Sequence, residues 1–130
     1  MANRNLKTPK CFNYGEVNLS GSFRPNGSSA VDNTANTGHG FTVARTSAGV
    51  FTITLADRWN GLIAGHVTLA LNAADDKIVQ LGAIDVVTNG TVVINVLDNA
   101  AGTFSASDIA SNANNRIHFT LVLKNSTVSF

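Results

Sequence analysis

The stretch Arg116-Ile117-His118-Phe119-Thr120-Leu121-Val122-Leu123-Lys124 sets Ile117, Phe119, Leu121 and Leu123 on one side of an extended chain, and His118, Thr120, Val122 and Lys124 on the other. Successive side chains of a strand point to opposite faces, so this segment reads as a half-buried β-strand with an apolar inner row. The same alternation recurs upstream. Val17, Leu19, Gly21 and Phe23 mark a first strand, ended by the turn residues Arg24-Pro25-Asn26-Gly27. Phe41, Val43 and Arg45 begin a second, which Thr46-Ser47-Ala48-Gly49 joins as a hairpin to a third carrying Phe51, Ile53 and Leu55. In a fourth, Val67, Leu69 and Leu71 alternate with His66, Thr68 and Ala70. A longer apolar stretch over residues 78–87 leads through Asn89-Gly90, read as a two-residue type I′ hairpin loop, into a strand over 92–97.

Between the strands lie residues 28–40, made of Ser, Asn, Thr, Ala and Gly, and residues 98–115, rich in Ala, Ser and Asn. Both read as long surface loops, the second with a helical turn near 107–110. Seven or eight strands, tight hairpins and two long crossing loops predict an all-β fold. The expected form is an antiparallel β-sandwich or jelly roll with Greek-key connections. No helical periodicity is long enough to cover a parallel sheet, which argues against α/β architectures. A chain of 130 residues is expected to form one domain over 16–130, preceded by an extended N-terminal arm over 1–15.

The chain is 44% hydrophobic but only 13% charged, against roughly 25% charged in an average domain. Asn, Thr and Ser take the outward positions instead, and a face so poor in charge suits contact with protein, hence an expected homo-oligomer. Three of the nine basic residues, Arg4, Lys7 and Lys10, fall in the first ten positions, leaving six basic against eight acidic side chains beyond them. The arm is basic and the body mildly acidic. Three charges are too few for a nucleic-acid tail, so no nucleic-acid partner is expected. Together with Leu6, Phe12 and Tyr14 they make the arm a candidate protein-contact segment, combining charge for orientation with apolar area for affinity. Cys11 is the single cysteine and reads as a reduced thiol. No apolar run approaches the ~18 residues of a membrane helix, and the first residues lack the apolar core of a secretory signal. Synthesis in a cytoplasm and no membrane partner are the expectation.

The residues that could carry chemistry are scattered. His39, His66 and His118 stand at no metal-ligand spacing, and His66 and His118 take the polar phase of their strands. Asp75-Asp76 offers half of a hard-cation site, but without the alternating oxygen ligands of a calcium loop it reads as a turn. Asp57-Arg58-Trp59 reads as a solvent-side ion pair with Trp59 capping the core edge; the sharper reading makes Trp59 a platform for stacking a sugar. No nucleophile elbow is present. The expectation is no enzyme, no cofactor and no metal.

The run Gly40-Phe41-Thr42-Val43-Ala44-Arg45-Thr46-Ser47-Ala48-Gly49-Val50-Phe51-Thr52-Ile53-Thr54-Leu55, followed by Asp57-Arg58, resembles small structural proteins of tailed bacteriophages. Asn115-Arg116-Ile117-His118-Phe119-Thr120-Leu121-Val122-Leu123-Lys124-Asn125-Ser126 is similar to the closing segment of the same proteins. The two runs cover about a quarter of the chain. The resemblance implies a capsid decoration (cement) protein or head-fibre base: a jelly-roll domain, usually trimeric, on the virion surface, bracing neighbouring units of the major capsid protein. On that reading Arg4, Leu6, Lys7, Lys10, Phe12 and Tyr14 contact the capsid or a neighbouring subunit. The alternative is a carbohydrate-binding or fibre/tail β-sandwich module for host attachment, with Trp59 as its platform.

Overall fold

Arg116–Lys124 is strand β8, the middle strand of a three-stranded antiparallel sheet in a computed structural model that describes residues 15–125. Its flanks are β1 (Glu16–Phe23) and β4 (Gly61–Ala70). The inward row of β8 meets inward residues on both sides, with Phe23 and Leu69 opposite Ile117, and Gly21 and Val67 opposite Phe119. Leu19 and Gly65 lie opposite Leu121.

The second sheet has five strands. β2 (Phe41–Ser47), β3 (Val50–Leu55), β6 (Thr91–Ala100) and β5 (Lys77–Asp85) lie in that order, and β7 (Thr103–Ala106) pairs with the far end of β6. Its inner face supplies Val43, Phe51, Ile53, Leu55, Val92, Ile94 and Val96, which pack with the β8 row and Phe23 into one core. The two antiparallel sheets pack face to face, so the expected all-β sandwich forms. Its Greek-key character lies in the pairing of β3 with β6, which spans the excursion of β4 to the other sheet.

Two glycines let the sheets close along their sides. A Cβ at Gly21 would run into the Phe41 ring, and one at Gly65 would stand 2.7 Å from Leu81 Cδ1. Phe41 uses the vacated space to reach Phe119 edge-on, with ring centroids 4.9 Å apart.

Where expectation and structure differ, the causes are local. β4 begins at Gly61, several residues before the readable alternation, because a bulge between Leu62 and Ala64 leaves Ile63 out of phase and 46% exposed. A second bulge between Leu81 and Ile84 bends β5. Asn89-Gly90 is not a two-residue hairpin. Asp85 pairs with Thr91, and the five residues between them are closed by the Asp85 carboxylate, which accepts from the Thr88 N–H at 3.0 Å and the Asn89 amide at 2.7 Å. Two-residue loops occur instead at Ala48-Gly49, between the paired Ser47 and Val50, where a four-residue link was expected, and at Ala101-Gly102, between the paired Ala100 and Thr103, with both of the latter residues at positive φ (53° and 84°). The Ala101-Gly102 hairpin places the end of β6 and all of β7 within the segment read as a long loop. The helical turn near 107–110 does not form, because the Asp108 side chain is drawn to Arg45 and Ile109 enters the core at 1% exposure.

Residues 28–40 were expected to lie on the surface, yet Val31 joins the core. Asp32 caps a short 3₁₀ turn, Asn33–Ala35, by accepting from Thr34 N at 3.0 Å. Asn33 then behaves as a one-residue strand along β2: Val43 N–H donates to its Oδ1 at 2.8 Å and its Nδ2 donates to Val43 O at 3.0 Å. Thr37 does the same for β1 through paired 2.9 Å bonds with Ser22.

Two substitutions test these turns. Ala101→Gly should raise stability, since a left-handed L-residue costs roughly 1–2 kcal/mol and glycine's extra unfolded-state entropy takes back about half. The expected rise in Tm is about 2–4 °C. Gly90→Val should lower Tm instead, because Gly90 has φ 68° and a Cβ there would collide with the Arg58 guanidinium. A calorimetric scan of both variants decides; an unchanged Tm in Ala101→Gly would contradict the strained turn.

Candidate functional site

Three surfaces of the sandwich carry the side chains available for function. The first is the outer face of the three-stranded sheet, where strand alternation turns out Ser20 and Ser22 from β1, Arg116, His118 and Thr120 from β8, and His66 and Thr68 from β4. Cross-strand register aligns them in rows, Ser22–His118–Thr68 and Ser20–Thr120–His66. The Ser20 and Thr120 hydroxyls are 3.2 Å apart. Thr37 and Gly38 of the long loop form a wall over the β1 side, leaving a groove of about 550 Å³ along β8. A smaller depression of about 80 Å³ beside it shares His118 and Thr120 and adds His66 and Thr68.

Arg116 lies at the head of this groove. Its Nη1 donates to Ser22 Oγ at 3.2 Å and its Nη2 to Ala35 O at 3.1 Å. The contact holds the loop onto the sheet and leaves Ser22 only 4% exposed. No aspartate or glutamate lines either depression, and no ion pair to Arg116 occurs among the described residues.

The second surface is a cleft of about 480 Å³ at one end of the sandwich, between the β4–β5 connection and residues 108–115. Its polar groups are committed to one another. Asn115, 8% exposed, accepts from Asn72 N–H at 2.7 Å and donates to Ala110 O at 3.0 Å, while Asn114 donates to the Asn72 side chain at 2.9 Å. Lys77 donates to Ser107 Oγ at 3.2 Å and lies 3.6 Å from Asp75 and 3.5 Å from Asp98. The Asp75-Asp76 pair is thus a turn in which Asp75 accepts the Asp76 N–H at 2.8 Å and faces an ammonium group. Among the described residues no three ligating side chains come together.

Behind this cleft, Asp108 accepts from Arg45 Nε at 2.9 Å, from Arg45 Nη2 at 2.7 Å and from Gly49 N–H at 2.9 Å. The bidentate pair clamps the β2–β3 hairpin to the segment leading into β8, with about a fifth of each side chain exposed (20% and 22%). The bonds from Arg45 hold the Asp108 carboxyl below the usual aspartate value, helped by the Gly49 N–H and opposed by burial.

The third surface is the outer face of the five-stranded sheet. Thr42, Thr54 and Thr91 form one cross-strand row, Ala44, Thr52 and Val93 the next, and Asn95 and Gln80 follow beside Val50. None of these side chains is ionisable. Asp85, paired with Thr91, is turned onto its own loop. Exposed Ile78 and Phe104, 45% and 52% accessible, extend the face toward β7.

The residues singled out in the sequence are distributed as follows. Arg4, Leu6, Lys7, Lys10, Phe12 and Tyr14 lie outside the described residues. Trp59 is part-buried against the core margin, its backbone N–H donating to Val86 O at 3.0 Å and its indole Nε1 buried with no acceptor among the described residues. The Asp57–Arg58 ion pair is replaced by Arg58 bonds to the carbonyls of Leu55 and Thr88, both 3.1 Å. His39 is an exposed loop residue, while His66 and His118, 52 positions apart in the chain, line one depression. Arg116, Ser22 and the Arg45–Asp108 clamp escaped the sequence reading, since nothing local signals partners so far along the chain.

No protein-family profile, curated protein or solved structure matches this chain.

The depressed Asp108 carboxyl predicts an acid limb in stability. Its contribution is complete above the ordinary aspartate pKa of about 4. It is lost as pH falls through the lower folded-state value, where the folded form must take up the proton that the unfolded chain already holds. Denaturant melts should therefore give a steeper fall below pH 4 in the parent than in Asp108→Asn, which should be less stable at pH 7. Identical pH profiles for the two proteins would rule out the clamp as a titrating element.

Proposed function

We propose that the protein is a virion structural protein of the capsid decoration (cement) type, a homo-oligomeric brace, trimeric in the simplest form, bound to the outer surface of a shell of major capsid protein. The observation that carries this reading is the outer face of the five-stranded sheet. The cores of protein interfaces are depleted of charge, and a face of Thr, Ala, Val, Asn and Gln can be dried at little electrostatic cost. Its hydroxyls and amides supply hydrogen bonds that fix orientation.

The edges of the sandwich favour contact through faces. Asn33 occupies both outward backbone groups of Val43 at the middle of the β2 edge, and Thr37 does so for Ser22 on β1. Strand addition at these points is blocked. A β-sandwich suits a clamp whose task is to hold a distance, and the resemblance of residues 40–58 and 115–126 to phage structural proteins supports the reading of such a clamp on a virion. The basic arm, with Arg4, Leu6, Lys7, Lys10, Phe12 and Tyr14, is assigned in this reading to the shell or a neighbouring subunit.

Mass spectrometry of density-purified virus particles from the source culture should detect the protein in stoichiometric amounts, and the isolated chain should sediment as an oligomer at micromolar concentration. Thr52→Arg places a charge in the middle of the proposed face, where a surface change typically moves stability by about 0.5 kcal/mol or less. It should dissociate the oligomer while leaving the melt in place. A monomeric parent chain absent from particles would defeat the proposal.

A further inference from the structure

The groove along β8 has a composition that its structural role does not explain. Arg45 has Asp108 and Lys77 has Asp75 and Asp98 as carboxylate partners, whereas Arg58 is held by two carbonyls outside this groove. Among the described residues Arg116 has only a hydroxyl and a carbonyl for partners. A guanidinium carries five N–H donors, and the two bonds to Ser22 and Ala35 leave the others available. The positive charge is retained in a part-buried setting, where an incoming anion is screened less than at an open surface.

Beyond Arg116 the lining is hydroxyl and imidazole: Ser20, Thr37, His118 and Thr120, continued by His66 in the adjoining depression. These groups both donate and accept, which is what a ligand bearing many hydroxyls requires. The groove is open, and the second depression adjoins it across β8 on the β4 side, so the two together cross the sheet from β1 to β4. A chain of units fits it better than one compact molecule. Its volume lies within the roughly 300–1,000 Å³ of small-ligand sites. The nearest ring, Phe119, is 3% exposed and packs on Phe41 inside the core, so it offers no stacking face.

We propose that this groove binds an acidic saccharide, with a uronate-type carboxylate on Arg116 and the sugar hydroxyls along the Ser20–Thr120–His66 row and His118. Carboxylate and guanidinium are both planar and pair through two parallel hydrogen bonds. The neutral sugar of the same shape lacks that pair and is discriminated against. This site does not depend on the shell-bracing reading. Particle association and oligomer state test that reading, and ligand titration tests this one, so either can fail alone.

The experiment titrates the full chain, at pH 7 and low salt, with tetragalacturonate and with neutral galactotetraose, using calorimetry and backbone amide shifts. The acidic tetramer is expected to bind with shifts confined to β8, residues 20–22 and 66–68, and at least about tenfold more tightly than the neutral one, the equivalent of about 1.4 kcal/mol. Arg116→Gln should abolish that preference. Because it also loosens the loop at Ala35, the double variant His118→Gln/Thr120→Val provides an independent arm: it should keep the parent melting temperature and lose affinity for both sugars. Inorganic sulfate separates simple anion capture from saccharide recognition. Sulfate competing as well per charge as the uronate, equal binding of the two tetramers, no binding at millimolar sugar, or unchanged affinity in the double variant would each overturn the proposal.

Discussion

β8 contributes Ile117, Phe119, Leu121 and Leu123 to the interior, each 3% exposed or less, and is paired along its length by β1 and β4. Full burial of one such side chain is worth about 1.5–3 kcal/mol. The row therefore supplies about 6–12 kcal/mol, comparable with the whole net stability of a typical domain. That demand fixes the rest. The five-stranded sheet must lie flat over the row, and the neighbours on β8's inner side must include glycines wherever the opposite sheet comes close, as at Gly21 and Gly65. The polar residues of β8 are then forced outward in register with those of β1 and β4, so the groove follows from the core by strand parity.

The long connections complete what the sheets leave open. Residues 24–40 lie along the β1 and β2 side, with Val31 entering the core, Asn33 bonded to β2, Thr37 bonded to β1 and Ala35 held by Arg116. Residues 107–115 close one end with Ile109 and Asn115, and Asp108 ties that end to the β2–β3 hairpin. These segments are polar in composition because their work is to satisfy backbone groups and hold strands, with Pro25 and Val31 as apolar anchors in the first and Ile109 in the second.

Legibility in the sequence followed the range of the interaction. Strands with unbroken alternation, such as β1, β3 and β8, were readable because a period of two is a local property. β4 was readable only after its bulge, since Ile63 breaks the phase without breaking the strand. Asn89-Gly90 carries a strong turn signal and still lost to Asp85, whose carboxylate organises a longer loop around it, while the unremarkable Ala101-Gly102 took a tight turn because the pairing of Ala100 with Thr103 required it. The groove was invisible for the same reason. His66, His118, Ser22 and Arg116 become neighbours only through register between strands far apart in the chain, and no spacing rule encodes that. Trp59 drew attention by its chemistry and is used at the core margin.

The amide of Asn33 has one further consequence. Soluble β-proteins commonly keep their sheet edges apart by placing lysines and other charges along them, and this chain, with 13% charged residues, has few to spend in that way. A primary amide that offers both a donor and an acceptor to Val43 closes the middle of the β2 edge without adding any charge. The chain is thereby spared one route to fibrillar stacking by geometry instead of electrostatic repulsion, and that protection should persist at salt concentrations where charge-based protection fades.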